Sequence, residues 1–155
     1  MTPRIRRLIA DYKRVHELFN GKHPNIKIID MEGSPPEKYI LELKIKSIRL
    51  EPDGLISTVD IHSTELFLPL DYPRRPPFCR MLTPVFHPNI DHQKICIGDH
   101  WAAGESLDQL LIRIAEMIAY QSYNIKSPLN AKAAAWTAQN INNLPIDSTD
   151  FSRWL

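Results

Sequence analysis

An α+β domain is what this sequence predicts, and three observations predict it. A helix-spaced apolar pattern at the N-terminus and a second one after residue 106 bracket a central region rich in β-branched residues. That central region partly alternates and is broken by Gly, Pro and Asp-Gly turn signals, as an antiparallel meander requires. The chain has 155 residues, 43% of them hydrophobic. That is enough for one core and too little for two ordinary domains, so a single domain over residues 1–155 is expected.

Taken in order, Thr2 can cap a helix and Pro3 suits its first position. Ile5, Leu8, Ile9, Tyr12, Val15 and Leu18 or Phe19 then recur at helical spacing until Asn20-Gly21. The other face carries Arg4, Arg6, Arg7, Lys13, Arg14 and Lys22, with only Asp11 and Glu17 against them, and so predicts a basic surface. Four strands follow at about 26–31, 38–49, 55–68 and 77–83, with Asp53-Gly54 turning the chain between the second and third. The stretch TPVFHPNIDHQKICIGDHWAAG, from Thr83 to Gly104, has no sustained period, and irregular stretches of that length in a small domain usually have a functional reason. Ser106-Leu107-Asp108-Gln109 has the form of a capping box. It opens a central helix whose buried face is Leu107, Leu110, Leu111, Ile114, Met117 and Ile118. Asn130 can cap a third helix from Ala131 to about Ile141. The end, with Pro145, Phe151 and Trp154, is expected to dock on the core or form a short extra helix.

Charge and cysteine content narrow the functional classes. Nineteen basic and eighteen acidic residues leave a net charge of +1, which gives no electrostatic case for nucleic acid or an acidic membrane surface. The N-terminus has no apolar run resembling a signal peptide, and no segment approaches the ~20 apolar residues that span a bilayer. A cytoplasmic location is therefore expected. Two cysteines, Cys79 and Cys96, are too few for a disulfide-stapled domain, and a reducing compartment keeps both as thiols. Cys79, in the apolar run PPFCRML, reads as core.

The irregular stretch gathers His87, Pro88, Asn89, His92, Cys96, Asp99, His100 and Trp101, and four readings compete for it. His87, His92, Cys96 and His100 have the softness for zinc but lack the close ligand pairs of structural zinc sites. A hydrolytic Cys–His pair oriented by Asp99 or Asn89 is chemically feasible without any local signature for it. Simple burial of Cys96 between Ile95 and Ile97 is the default for a free cysteine. The last reading is acyl transfer, in which Cys96 takes a carboxyl group as a thioester and passes it to an amine. That chemistry needs a nucleophilic sulfur and a hydrogen-bond donor for the oxyanion, a role open to the Asn89 amide on its Pro-stiffened turn. It needs no metal and no cofactor.

An ordered series of segments then bears on the choice: LPLDYPRRPP, TPVFHPNI, KICIG, Trp101, SLDQLLIRIAEMI and SPLNAKAA, covering about residues 66–136. In this series the chain resembles the ubiquitin-conjugating enzymes. The resemblance implies their fold, with an N-terminal helix, a four-stranded antiparallel meander, an active-site loop, a central helix and C-terminal helices. It implies that Cys96 is the thioester cysteine, that His87, Pro88 and Asn89 form the HPN motif, and that Asn89 serves the oxyanion or the loop. Trp101 falls where the family has a tryptophan beside the active site, Ser127 at the gate position, and Tyr123 and Asn124 on the turn lining the lysine's approach. The implied partners are a ubiquitin-like modifier, an E1-like activating enzyme and a protein substrate. In this family the first helix meets the activating enzyme, which makes Arg6, Arg7 and Lys13 candidate contacts.

Several features depart from the family pattern. Asn89 to Cys96 is one residue tighter than usual, and Cys96 to Trp101 is about three residues shorter. The glycine-rich segment before the third strand is replaced by a longer strand pair from Lys38 to Phe67. Arg74 occupies the position that often carries an apolar contact to RING-type ligases, which argues against ligase docking of the usual kind. With the ending WTAQNINNLPID, these features look more like the bacterial members found in antiphage operons. The alternative is a non-catalytic module of the same fold that holds a ubiquitin-like protein or partner enzyme. An intact HPN and a cysteine in place favour the enzyme.

Overall fold

The computed structural model describes residues 1–92, 94–98 and 101–155. Helix α1 (Pro3–Phe19) starts as expected, with the Thr2 hydroxyl accepting the Ile5 N–H at 3.2 Å. It buries Leu8, Val15 and Phe19. Strands β1 (Ile26–Gly33), β2 (Pro36–Leu50), β3 (Ile56–Phe67) and β4 (Phe78–Met81) form one antiparallel sheet in sequence order. The register runs from Ile26 opposite Leu43, through Lys38 opposite Phe67, to Phe67 opposite Phe78. Between β1 and β2 the chain turns at Gly33, whose φ of +103° and the Pro35 carbonyl 2.9 Å from where a Cβ would stand both demand glycine. The long β2–β3 pair is interrupted once, by a register shift between Lys44 and Ser47, beyond which the alternation breaks and Ser47 and Ile48 are both buried.

Alternation does the rest. Tyr39, Leu41, Leu43, Ile45 and Leu66 point into the core, where they meet α1 and α2 (Leu107–Ile118). Burying a leucine such as Leu110 or Leu111, both fully enclosed, stabilises the fold by about 1.5–3 kcal/mol each. Near the Cys96 end a smaller cluster of Ile48, Phe86, Tyr120 and Ala133 takes Trp136 against it and seats α3 (Ala131–Gln139). The Asn130 side chain caps α3, accepting the Ala133 N–H at 3.0 Å. The helix stops two residues earlier than the sequence suggested, and a 3-10 turn at Ile141–Asn143 continues it. The C-terminus docks through a second such turn, Phe151–Trp154, which buries Phe151 and offers its carbonyl to His23 Nε2 at 2.8 Å.

Asp11 ties this frame together from an almost fully buried position. Its carboxylate receives the Tyr72 hydroxyl at 2.5 Å, the Leu107 N–H at 3.2 Å and the Arg7 guanidinium at 2.9 Å. The start of α2 is thus anchored to α1, and a negative charge sits at the helix N-terminus, where it is favourable. Arg14 reaches the buried Asp108 with two bonds of 3.0 Å. The basic face of α1 therefore needs correction: Arg7 also donates to the Ala103 and Glu105 carbonyls and lies over the Tyr72 ring, so it is a structural cation. Arg6 and Lys13 stay exposed. No helix among the described residues is long and apolar enough to cross a membrane.

Candidate active site

The aperiodic stretch is ordered by the HPN turn. His87 is fully buried against Tyr120, with ring centroids 4.9 Å apart. Its Nδ1 accepts the Asn89 N–H at 3.0 Å, so Nε2 carries the proton and donates it to the Ser122 carbonyl at 3.1 Å. Burial pushes its pKa down to about 4, against a smaller opposing effect of the Ser122 carbonyl, which keeps the ring neutral at pH 7. Pro88, also buried, leaves its carbonyl to accept the N–H groups of Leu129 and Asn130 at 2.9 and 3.0 Å. The Asn89 amide grips the backbone of Asn124 at both ends, Nδ2 donating to its carbonyl at 2.9 Å and Oδ1 accepting its N–H at 2.7 Å. Three successive side chains or carbonyls thus hold the 122–130 segment, and they do it from one tripeptide.

Beyond the turn, β5 (Ile90–Asp91) and β6 (Lys94–Ile95) form a two-residue ladder that the sequence does not announce. Its cause is the burial of both Ile90 and Ile95, which pair across it. The ladder delivers Cys96, whose N–H donates to the Asn89 carbonyl at 2.9 Å. Cys96 is half-buried, whereas Cys79 on β4 is buried and its thiol is pushed up to about 12 by that burial. Gly98 follows at φ +96°, a conformation that side chains resist.

Cys96 opens into a groove of about 330 Å³ whose walls include Asn89, Tyr123, Asn124 and Ser127. Five of the sequence-nominated residues therefore share one concavity, with His87 and Pro88 behind it. Trp101 does not share it: its Nε1 donates to the Pro73 carbonyl at 2.7 Å and its ring lies 6.1 Å from Tyr72, so it fixes the turn after β3. His92 is exposed and lines a different groove with Leu129 and Asn130. Asp99 and His100 lie outside the described residues. Among the described residues no three His, Cys, Asp or Glu side chains gather as metal ligands.

Sequence reasoning missed Arg113 and Glu116, which reach the same groove from α2. The Arg113 guanidinium takes both oxygens of Glu105, at 2.7 and 2.8 Å, and donates to the Ile97 carbonyl at 2.7 Å. The only trace of it in the sequence is a charged residue between Ile112 and Ile114 in an otherwise apolar stretch.

Helix, antiparallel sheet, HPN turn and half-exposed cysteine together define a domain of the ubiquitin-conjugating type. Residues 40–144 match the family model described as ubiquitin-conjugating enzyme. A ubiquitin-conjugating enzyme E2 3 of Arabidopsis thaliana is 30% identical over 146 residues, covering 90% of this chain and 87% of that protein. A ubiquitin-conjugating enzyme E2 13 of Saccharomyces cerevisiae is 34% identical over 94 residues, half of this chain and 61% of that one. A ubiquitin conjugating enzyme structure from Trypanosoma cruzi superposes with a TM-score of 0.62 at 20% identity, covering 86% of this chain and 89% of that one, a likeness of fold. The chain belongs to the ubiquitin-conjugating enzyme family.

Proposed function

We propose that Cys96 receives the C-terminal carboxyl of a ubiquitin-like modifier from an activating enzyme and passes it to an amine on a target protein. The observation that carries this reading is a half-exposed thiol at the mouth of a groove whose opposite wall is held by the Asn89 amide. In the first step the Cys96 thiolate attacks the carbonyl carbon of the incoming thioester; a new C–S bond forms, the old one breaks, and the donor sulfur leaves as a thiolate. In the second an amine attacks the same carbon; the C–N bond forms, Cys96 leaves as a thiolate, and the amine proton goes to solvent.

Asn89 spends one N–H and its carbonyl on Asn124, which leaves one amide N–H as the donor for the oxyanion. Neutral His87 does not act as the base; it holds the turn. The incoming lysine passes Tyr123, Asn124 and Ser127, where loss of water lowers the cost of presenting a neutral amine. Arg6 and Lys13 are exposed cations of α1 that can meet the activating enzyme. Arg74 is exposed where an apolar ligase contact is usual, so a RING-type ligase is not assigned. The trimmed step from Cys96 to Trp101 and the ending WTAQNINNLPID support the finer reading of a cytoplasmic bacterial system in antiphage defence, which the genes flanking this one would test.

The chemistry is tested with ubiquitin carrying a C-terminal mercaptoethanesulfonate thioester, which needs no activating enzyme. The expected product is a covalent adduct that disappears on adding thiol and does not form with Cys96→Ala. An adduct that persists in that variant, or none with the wild-type protein, overturns the reading.

A further inference from the structure

Among the described residues, backbone and side-chain bonds hold the segment bearing Cys96 on both sides of the sulfur. On its N-terminal side the Cys96 N–H is bonded to the Asn89 carbonyl. On its C-terminal side Trp101, five positions on, is tied to the Pro73 carbonyl. Between them the Ile97 side chain is buried, and its carbonyl is taken by Arg113 at 2.7 Å. Without that bond the Ile97–Gly98 peptide could rotate, since glycine tolerates either sign of φ. The sulfur one residue upstream would move with it.

Arg113 is itself preset. Its planar fork takes the two oxygens of Glu105, whose own carbonyl is held by Arg7 at 2.6 Å. Arg7 is fixed on Asp11. An unbroken series of charge-assisted bonds therefore runs from α1 through the turn before α2 to the residue after the nucleophile. Bidentate pairing of this kind needs arginine; lysine offers one point charge and no fork.

We propose that Arg113, oriented by Glu105, is a positioning residue that sets where the Cys96 sulfur stands. This rests on the thioester reading above. Arg113 acts through the Ile97 carbonyl, so its loss should slow transfer without weakening the encounter with the thioester donor. A displacement of the order of 1 Å at a reacting atom typically costs about 10²-fold. Part of that shift is absorbed by the Asn89 tie, so a fall of about tenfold is the expected scale.

The test compares single-turnover charging of the wild type with Arg113→Met, Arg113→Lys and Glu105→Gln, again from ubiquitin mercaptoethanesulfonate thioester. The rate at saturating thioester should fall about tenfold in Arg113→Met, with the half-saturating concentration within about twofold of wild type. Arg113→Lys should recover part of the rate, because one ammonium N–H can still reach the Ile97 carbonyl, and Glu105→Gln should fall between. Thermal midpoints should shift by only a few degrees, as for a partly exposed ion pair. A saturated rate within about twofold of wild type overturns the proposal. So does a loss confined to the half-saturating concentration, or one that Arg113→Lys shares in full while unfolding early. Absence of a Cys96 adduct in the wild type removes the thioester reading and this proposal together; normal charging of both wild type and Arg113→Met removes this one alone.

Discussion

Acidification from pH 7 to pH 5 should weaken the fold through His87, and the size of the effect follows from its burial. His87 has no exposed surface, and its pKa falls from 6.5 to about 4 because burial disfavours the imidazolium. Below pH 6.5 the unfolded chain binds a proton at this ring that the folded one refuses, so the stability contributed is full above the unfolded value and is lost as pH drops towards the folded one. A difference of roughly 2.5 units is worth about 3 kcal/mol in all, of which about 2 kcal/mol is lost between pH 7 and pH 5. His23 and His62 are lowered for the same reason, so the whole-protein slope is steeper than His87 alone would give. The comparison that isolates it is urea unfolding, followed by tryptophan fluorescence, of wild type and His87→Asn at both pH values. The variant lacks the titrating ring while the other groups remain, so its loss between the two pH values should be smaller by about 2 kcal/mol. Equal losses in the two proteins, or an NMR titration of His87 with a midpoint near 6.5, would refute the assignment.

Three further outcomes are expected. Asp11→Ala removes the carboxylate from Arg7 and the acceptor from the Tyr72 hydroxyl and the Leu107 N–H at once and should cost at least about 3 kcal/mol in urea unfolding; a loss below about 1 kcal/mol would mean water replaces the carboxylate. Iodoacetamide at pH 8 should label Cys96 and spare Cys79 in the folded protein, and label both in urea, because burial holds the Cys79 thiol near 12; peptide mapping that finds Cys79 modified first contradicts the burial pattern. Asn89→Ala should slow discharge of the charged enzyme to free lysine by about 10², and discharge at the wild-type rate would leave Asn89 with a structural role only.

Long periodic elements were legible and aperiodic ones were not. Both major helices and the four strands follow from spacing that repeats often enough to be read, and the ordered series around HPN nominated residues that line one groove. The β5–β6 ladder escaped because strands of two residues have no period; it exists because Ile90 and Ile95 share a buried pair. Arg7 and Arg113 were misjudged or overlooked for one physical reason. A charged residue on a helix reads as surface, and its real partners, the Glu105 carbonyl and the Ile97 carbonyl, lie 98 and 16 positions away in the chain. Trp101 shows the same limit: its indole N–H is committed to Pro73, which no local pattern foretells.

The two sides of the groove are held by different kinds of bond, and this bears on the tight step from Asn89 to Cys96. The wall formed by Tyr123, Asn124 and Ser127 is exposed or half-exposed and has little core of its own; it is held by His87, the Pro88 carbonyl and Asn89, all anchored in the buried turn. The Cys96 side is held on both flanks of the sulfur, by the Cys96 N–H to the Asn89 carbonyl and by the Arg113 side chain to the Ile97 carbonyl. Asn89 belongs to both walls, since its carbonyl takes the Cys96 N–H while its amide takes Asn124. It therefore joins the two walls directly, and a tight step from Asn89 to Cys96 is compatible with that arrangement because the short β5–β6 ladder brings the Cys96 N–H back to the Asn89 carbonyl.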